Sequence, residues 1–369
     1  MKNILTLLAV LMLVSCNNTP EKKHKYYGWE GEGGNATEQS IKQYFTDMKG
    51  HGLDGIMYNV GFDTTRIKRA SKLAKEAGLE YHAWIPTLLN GGTNELITEN
   101  MYVVNRNGES SFTNPAYVGY YKFLCPNYEE VFQYVSNMYQ AVARFPDVDG
   151  VHLDYIRFPD VILARGLWDK YGLVMDQEYP QFDYCYCEKC VADFKNKTGI
   201  DILTVEDASA VPEWKQFRYD LLTNFVNRLA DSIHAEGKQI SAAVFPGPES
   251  IAQKIVRQEW DKWNLDAVYP MNYNDFYLED TTWVGTIVKE EVESVNNKRP
   301  IYSGLFICPS PDNKAKEKDP ENHGLVPIEL GSAIRQSLDN GAAGVCLFTP
   351  GRMTDAHWAV FNETIKEAK

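Results

Sequence analysis

From residue 25 onward, short apolar or β-branched runs alternate with stretches whose apolar positions recur every three or four residues. That is the pattern of β-α units around a parallel sheet. Ile41, Tyr44, Phe45 and Met48 fall at i, i+3, i+4 and i+7 and are followed by Gly50 and Gly52, which end a helix. Asp63-Thr64 caps a second helix running to Gly78. Leu222, Phe225, Val226, Leu229 and Ile233 mark another that stops at Gly237, and a last helix is expected over 354–368. Eight strands are expected at 26–30, 55–60, 80–86, 150–158, 240–246, 267–273, 301–307 and 344–349. Three begin alike: Leu53-Asp54-Gly55-Ile56, Val148-Asp149-Gly150-Val151 and Leu265-Asp266-Ala267-Val268. One supersecondary unit used repeatedly explains that recurrence. Eight strands with helices between them predict an α/β fold, a (β/α)8 barrel over 25–369, with a long insertion at about 159–236 after strand 4. An open doubly wound sheet is disfavoured, because no G-x-G-x-x-G follows the first strand and no G-x-x-x-x-G-K-S/T occurs.

Composition narrows the partners. Of the 369 residues, 44% are hydrophobic and 24% charged, ample for a large core. The net charge of −13 argues against nucleic acid and anionic membrane surfaces as partners, since binding to both runs on Lys and Arg. The 22 Tyr, 16 Phe and 8 Trp supply many flat faces, a first hint of a carbohydrate cleft.

The first residues carry a different signal. Met1-Lys2-Asn3 precedes an apolar run over 4–14 that is too short for a mature membrane span. It ends in Leu13-Val14-Ser15-Cys16, which resembles the lipobox of bacterial lipoproteins. The resemblance implies a signal peptide over 1–16, acylation at Cys16, a polar tether over 17–24 and a lipid anchor in the cell envelope, facing the periplasm or the cell surface. Of the remaining cysteines, Cys308 and Cys346 sit in apolar runs and read as small hydrophobes. Cys185, Cys187 and Cys190, taken with Cys125, read as a structural set: two disulfides or one tetrahedral zinc site. An oxidising compartment favours disulfides, with zinc as the open alternative; no catalytic metal is expected.

In a (β/α)8 barrel the site lies at the C-terminal ends of the strands. The polar residues closing those strands are Trp29-Glu30, Asn59, His82 with Trp84, Asp154 with Arg157, Glu249, and Asn272-Tyr273-Asn274-Asp275. Glycoside hydrolysis uses two carboxyl groups. Asp154 is the candidate nucleophile or base, with Asp275 or Glu30 as proton donor; Glu249 reads better as a helix-start acid. Arg157, His82, Asn59, Asn272 and Tyr273 are candidates to orient hydroxyls, and Trp29 and Trp84 to stack on a sugar. Arg157 is also placed to keep Asp154 ionised. No cofactor is expected, and His82 and His152 lack the H-x-x-x-H spacing of a metal site.

The run Val148-Asp149-Gly150-Val151-His152-Leu153-Asp154-Tyr155-Ile156-Arg157-Phe158-Pro159 resembles the signature strand of the family 10 glycosyl-hydrolase-like lipoproteins. Tyr81-His82-Ala83-Trp84 and Leu124-Cys125-Pro126-Asn127 extend the likeness. The resemblance implies a barrel and a carbohydrate substrate. A fainter likeness to glycoside hydrolase family 18 keeps Asp149, Gly150 and Asp154 in register with D-G-x-D-x-D-x-E, but Ile156 stands where that family has its catalytic Glu. Any acid must come from elsewhere. The alternative to an enzyme is a carbohydrate-binding lipoprotein on the same scaffold.

Overall fold

The computed structural model describes residues 24–316 and 323–368. Cys16, the expected signal peptide and nearly all of the tether lie outside them. Eight parallel strands form in the expected order: β1 (Lys25–Gly31), β2 (Gly55–Asn59), β3 (Glu80–Pro86), β4 (Gly150–Asp154), β5 (Gln239–Val244), β6 (Ala267–Pro270), β7 (Tyr302–Phe306) and β8 (Gly344–Phe348). Neighbours pair in sequence from β1 to β6, β8 joins β1 to β7, and bridges Val268–Ile301 and Met271–Gly304 close β6 onto β7. The fold is a (β/α)8 barrel.

The repeated strand start has a common cause. Asp54, Asp149 and Asp266 precede β2, β4 and β6. Each carboxylate accepts the N–H of a residue in the preceding strand: Tyr26 at 2.9 Å, Tyr81 at 2.9 Å and Ile240 at 2.8 Å. The small residue that follows lets a large inward side chain of that strand lie over the backbone. A Cβ at Gly55 would meet the Tyr27 ring at 2.7 Å, and one at Gly150 would meet His82 Nδ1 at 2.6 Å. Alternate strand positions then separate two cores. Tyr27, Trp29, Met57, Ala243, Tyr269 and Cys346 fill the barrel. Tyr26, Ile56, Tyr81, Val151, Ile240 and Val345 pack outward, in the layer shared with the helices.

Two boundaries differ from expectation. β4 stops at Asp154, because the Asp154 carboxylate captures the next N–H, that of Tyr155, at 2.7 Å. Tyr155 then turns into the left-handed region at φ 49°, so residues 156–158 leave the sheet. The helix Pro212–Ala235 belongs to the barrel's own ring, which leaves 155–211 as the insertion. A second long loop, 87–128, separates β3 from the helix Glu129–Ala143. Among the described residues no helix is long and apolar enough to cross a membrane.

Candidate active site

The C-terminal ends of the strands surround a cavity of about 510 Å³. Trp29 closes its base. The Trp29 indole N–H donates to His152 Nε2 at 2.8 Å, so the proton of the neutral ring sits on Nδ1 and is directed at Ser241 Oγ, 2.8 Å away. Burial, reinforced by the neighbouring His82, holds His152 well below the ordinary histidine range, which keeps the ring neutral. The walls come largely from the two long loops: Tyr117, Tyr120 and Tyr121 from the first, and Tyr155, Arg157, Asp160 and Tyr171 from the second. Tyr273, Phe276 and Phe348 face them across the opening, with Tyr273 stacked on Phe348 at 5.7 Å and 11°. Tyr120 is 58% exposed at the rim, a flat face offered to solvent.

Asp154 lines this cavity as expected. Its Oδ2 accepts the Trp84 indole N–H at 2.9 Å and its Oδ1 the Tyr155 N–H. Burial pushes its carboxyl above the ordinary Asp value, against these two hydrogen bonds and the nearby Arg157 charge. Trp29, Asn59, Trp84, Arg157 and Tyr273 line the same space.

Arg157 pairs otherwise than expected. Its guanidinium donates to Asp160 Oδ2 at 3.1 Å, to the Phe158 carbonyl at 3.0 Å and to the Tyr121 hydroxyl at 3.2 Å, not to Asp154. It lies 5.1–5.4 Å from the ring centres of Tyr121, Phe123, Tyr155 and Phe245. Burial works against its charge, but Asp160 and the surrounding tyrosines outweigh that and hold it above the usual arginine range.

Asp160 is the acid that sequence reasoning missed. It is 3% exposed, lines the cavity, and accepts both Arg157 and the Tyr117 hydroxyl (2.6 Å) on Oδ2. No described residue hydrogen-bonds its Oδ1. Asp154 and Asp160 are the two carboxylates of the cavity lining.

Four candidates fall elsewhere. The pleat turns Glu30 outward, since its neighbour Trp29 points in. Glu30 accepts Tyr44 Oη at 3.0 Å and the Gly351 N–H at 2.9 Å in a shallow surface groove. Asp275 is held by Lys316 at 2.7 Å and the Gly324 N–H at 2.8 Å and does not line the cavity, although Phe276 and Tyr277 beside it do. Neither lines the cavity with Asp154. His82 points inward but lies deeper, 6.0 Å from the Tyr27 ring and 3.8 Å from Glu80 Oε2. Asn272 faces outward from the barrel, donating to Ser303 Oγ at 3.0 Å and Glu291 Oε2 at 3.1 Å. His82 and Asn272 therefore cannot orient a ligand in the cup. Glu249, in a short helical turn after β5, does not line the cavity either.

The fully buried Glu291 carries a pH signature. Burial pushes its carboxyl up to about 8, only partly offset by the hydrogen bonds from Asn272 and the Gly247 N–H. The folded state then keeps a proton that the unfolded chain releases near pH 4.5, so stability falls as pH rises between those values and levels off above about 8. The loss amounts to a few kcal/mol at most. Glu291→Gln is expected to flatten that part of the stability curve. Denaturant midpoints at pH 5 and pH 8.5 for both proteins check it; an unchanged slope would mean that Glu291 is ionised in the fold.

The cysteines are brought together without bonding in pairs. Cys125, Cys185, Cys187 and Cys190 are buried free thiols with Sγ atoms within 4.8 Å of one another, so the disulfides favoured from sequence are not formed. Cys308 and Cys346 are buried, as expected of small hydrophobes.

Fold and cup define a (β/α)8 barrel with its cavity on the face where such barrels carry their sites. Solved glycoside hydrolases share this fold. The PgaB (BpsB) glycoside hydrolase domain from Bordetella bronchiseptica aligns with TM-score 0.63 at 12% identity, covering 94% of this chain and 98% of that one. The catalytic domain of β-amylase from Paenibacillus polymyxa aligns with TM-score 0.60 at 12% identity, covering 94% and 99%. The C-terminal domain of a chitinase-like protein from Desulfitobacterium hafniense follows with TM-score 0.52 at 10% identity, covering 93% and 99%. No family model and no curated protein matches the sequence.

Proposed function

We propose that this protein is an exported glycoside hydrolase, of the kind its fourth-strand motif resembles, held at a membrane by lipid on Cys16 and cleaving an oligo- or polysaccharide in the cup. The observation that carries this reading is a single cavity holding two carboxylates, Asp154 and Asp160, among aromatic rings at the C-terminal ends of the strands. Asp154 is the proton donor: burial keeps a larger share of it protonated, as protonating a leaving glycosidic oxygen requires. Asp160, paired with Arg157, is the carboxylate that attacks the sugar or activates water, and Oδ1 is the oxygen available for it. The distance between the two groups with sugar bound decides between retention and inversion. Trp84 and Tyr120 offer ring faces to the sugar. The names carried by the fold's neighbours agree with a carbohydrate substrate.

A second reading, a carbohydrate-binding lipoprotein, is favoured by one observation: Tyr117 and Arg157 both occupy Asp160 Oδ2. One experiment separates the two. The purified protein is incubated with bacterial, plant and host oligosaccharides while thermal shift and product mass are read from the same wells. Cleavage of a glycan supports the hydrolase; a shift without cleavage supports the binding protein.

A further inference from the structure

We propose that Cys125, Cys185, Cys187 and Cys190 bind one structural zinc ion that ties the two long loops together behind the cavity. The Sγ of Cys125 lies 3.3 Å from Cys185, 3.6 Å from Cys187 and 3.5 Å from Cys190, and Cys185 lies 3.4 Å from Cys187. Two disulfides would single out partners, each sulfur bonded once at about 2.05 Å. Cys125 has no preferred partner; it is nearly equidistant from all three. The four Sγ atoms all lie within 4.8 Å of one another. A tetrahedral zinc with bonds of about 2.3 Å sets its sulfurs about 3.8 Å apart, close to the spacing found. An iron–sulfur cluster spans several metal atoms and would hold its cysteines farther apart than this.

The donor set is all thiol and closed. All four cysteines are buried, and none lines the cavity, which fits a structural ion and leaves no open position for catalysis. Cys187 sits at the start of the helix Glu188–Thr198, where the free N–H groups favour a thiolate. Loading is an acid–base exchange with no change of oxidation state: four thiols release four protons as four Zn–S bonds form.

The location gives the ion a purpose. Cys125 ends the loop after β3 and the other three belong to the insertion after β4. The same two loops are laced by the Tyr186 N–H to the Val104 carbonyl at 2.7 Å and by the Arg106 N–H to the Asp183 carbonyl at 3.0 Å. Those two loops carry Tyr117 and Asp160 into the cavity wall. Among the described residues neither loop adds a strand to the barrel sheet, and a metal crosslink fixes their separation.

The test is read on metal, thiols and stability, and its outcome is independent of whether the cup cleaves a sugar. The full chain is purified without added metal, its elemental content measured, its denatured mass taken without reductant, and its Tm followed with a strong zinc chelator. About one zinc per chain is expected, with four alkylatable thiols at these positions on denaturation. Tm should fall by several degrees with chelator and be restored by Zn²⁺ but not Mg²⁺. Cys190→Ser should lose the zinc; if it does not fold, the wild-type mass and metal content still decide. A metal-free chain lacking the four hydrogens of two disulfides would overturn the proposal. So would a metal-free chain with four free thiols and an unchanged Tm, or a chain holding iron in place of zinc.

Discussion

Asp154→Asn is expected to lower kcat/KM by about three orders of magnitude on any glycan the wild type cleaves, within the range for loss of a general acid. Fold and affinity should survive. Asn keeps the shape and one acceptor oxygen, which can serve the Tyr155 N–H so that β4 still ends in the same turn, while the amide nitrogen then faces the Trp84 indole N–H and that hydrogen bond is lost. Removing a desolvated carboxyl relieves a burial cost that offsets the lost Trp84 hydrogen bond, and Tm should change little. The pH profile gives a second check with a defined sign. A proton donor works only while protonated, so wild-type kcat/KM should fall on the alkaline side, at a pH above the ordinary Asp value because burial raises the group. That limb should be missing from the residual activity of the variant. Equal turnover in both proteins, with the same alkaline limb, would remove Asp154 from the chemistry.

How far the site was legible in the sequence follows from the pleat. The strands and their order could be read from periodicity, and the repeated Asp-small start at Asp54, Asp149 and Asp266 pointed to a repeated hydrogen bond that the structure contains. Taking the last polar residues of each strand as a group ignored side-chain direction. Trp29 and Tyr273 point inward, so Glu30 and Asn272 beside them point out, and a period of two applied to 26–30 and 267–273 would have excluded both. Depth is harder to read. His82 and Trp84 share a face of β3, but only Trp84 reaches the cup, because the tilt of the strands sets each layer. Asp160 was hidden for a different reason. It follows residues expected as strand, and its role depends on a turn at Tyr155 that bends the chain back over the barrel. The signal for it was local: an Arg three residues ahead of an Asp, both in a run otherwise too apolar to bury either alone. The Asp275 partner Lys316 lies 41 positions along the chain, and no pattern in sequence links them.

The pairing of Arg157 with Asp160 makes the other large prediction, since it is the point where sequence and structure disagree about which acid the arginine serves. Both groups are buried, and Arg157→Leu would leave a carboxylate in the cavity wall with only Tyr117 as donor. Breaking a buried pair from one side costs about 3–5 kcal/mol, and loss of the guanidinium from among four rings adds to it. Denaturant unfolding should show that loss, and turnover should fall because the Asp160 carboxylate would no longer be held in place. The double variant Arg157→Leu/Asp160→Asn discriminates. With the charge removed from position 160, no ion is left stranded, and a large part of the lost stability should return while turnover stays low. Rescue by Asp154→Asn in place of Asp160→Asn would mean that the arginine serves Asp154 after all. The carboxylate roles proposed for the cup would then have to be exchanged, because an ionised, arginine-held Asp154 could not be the group that delivers the proton.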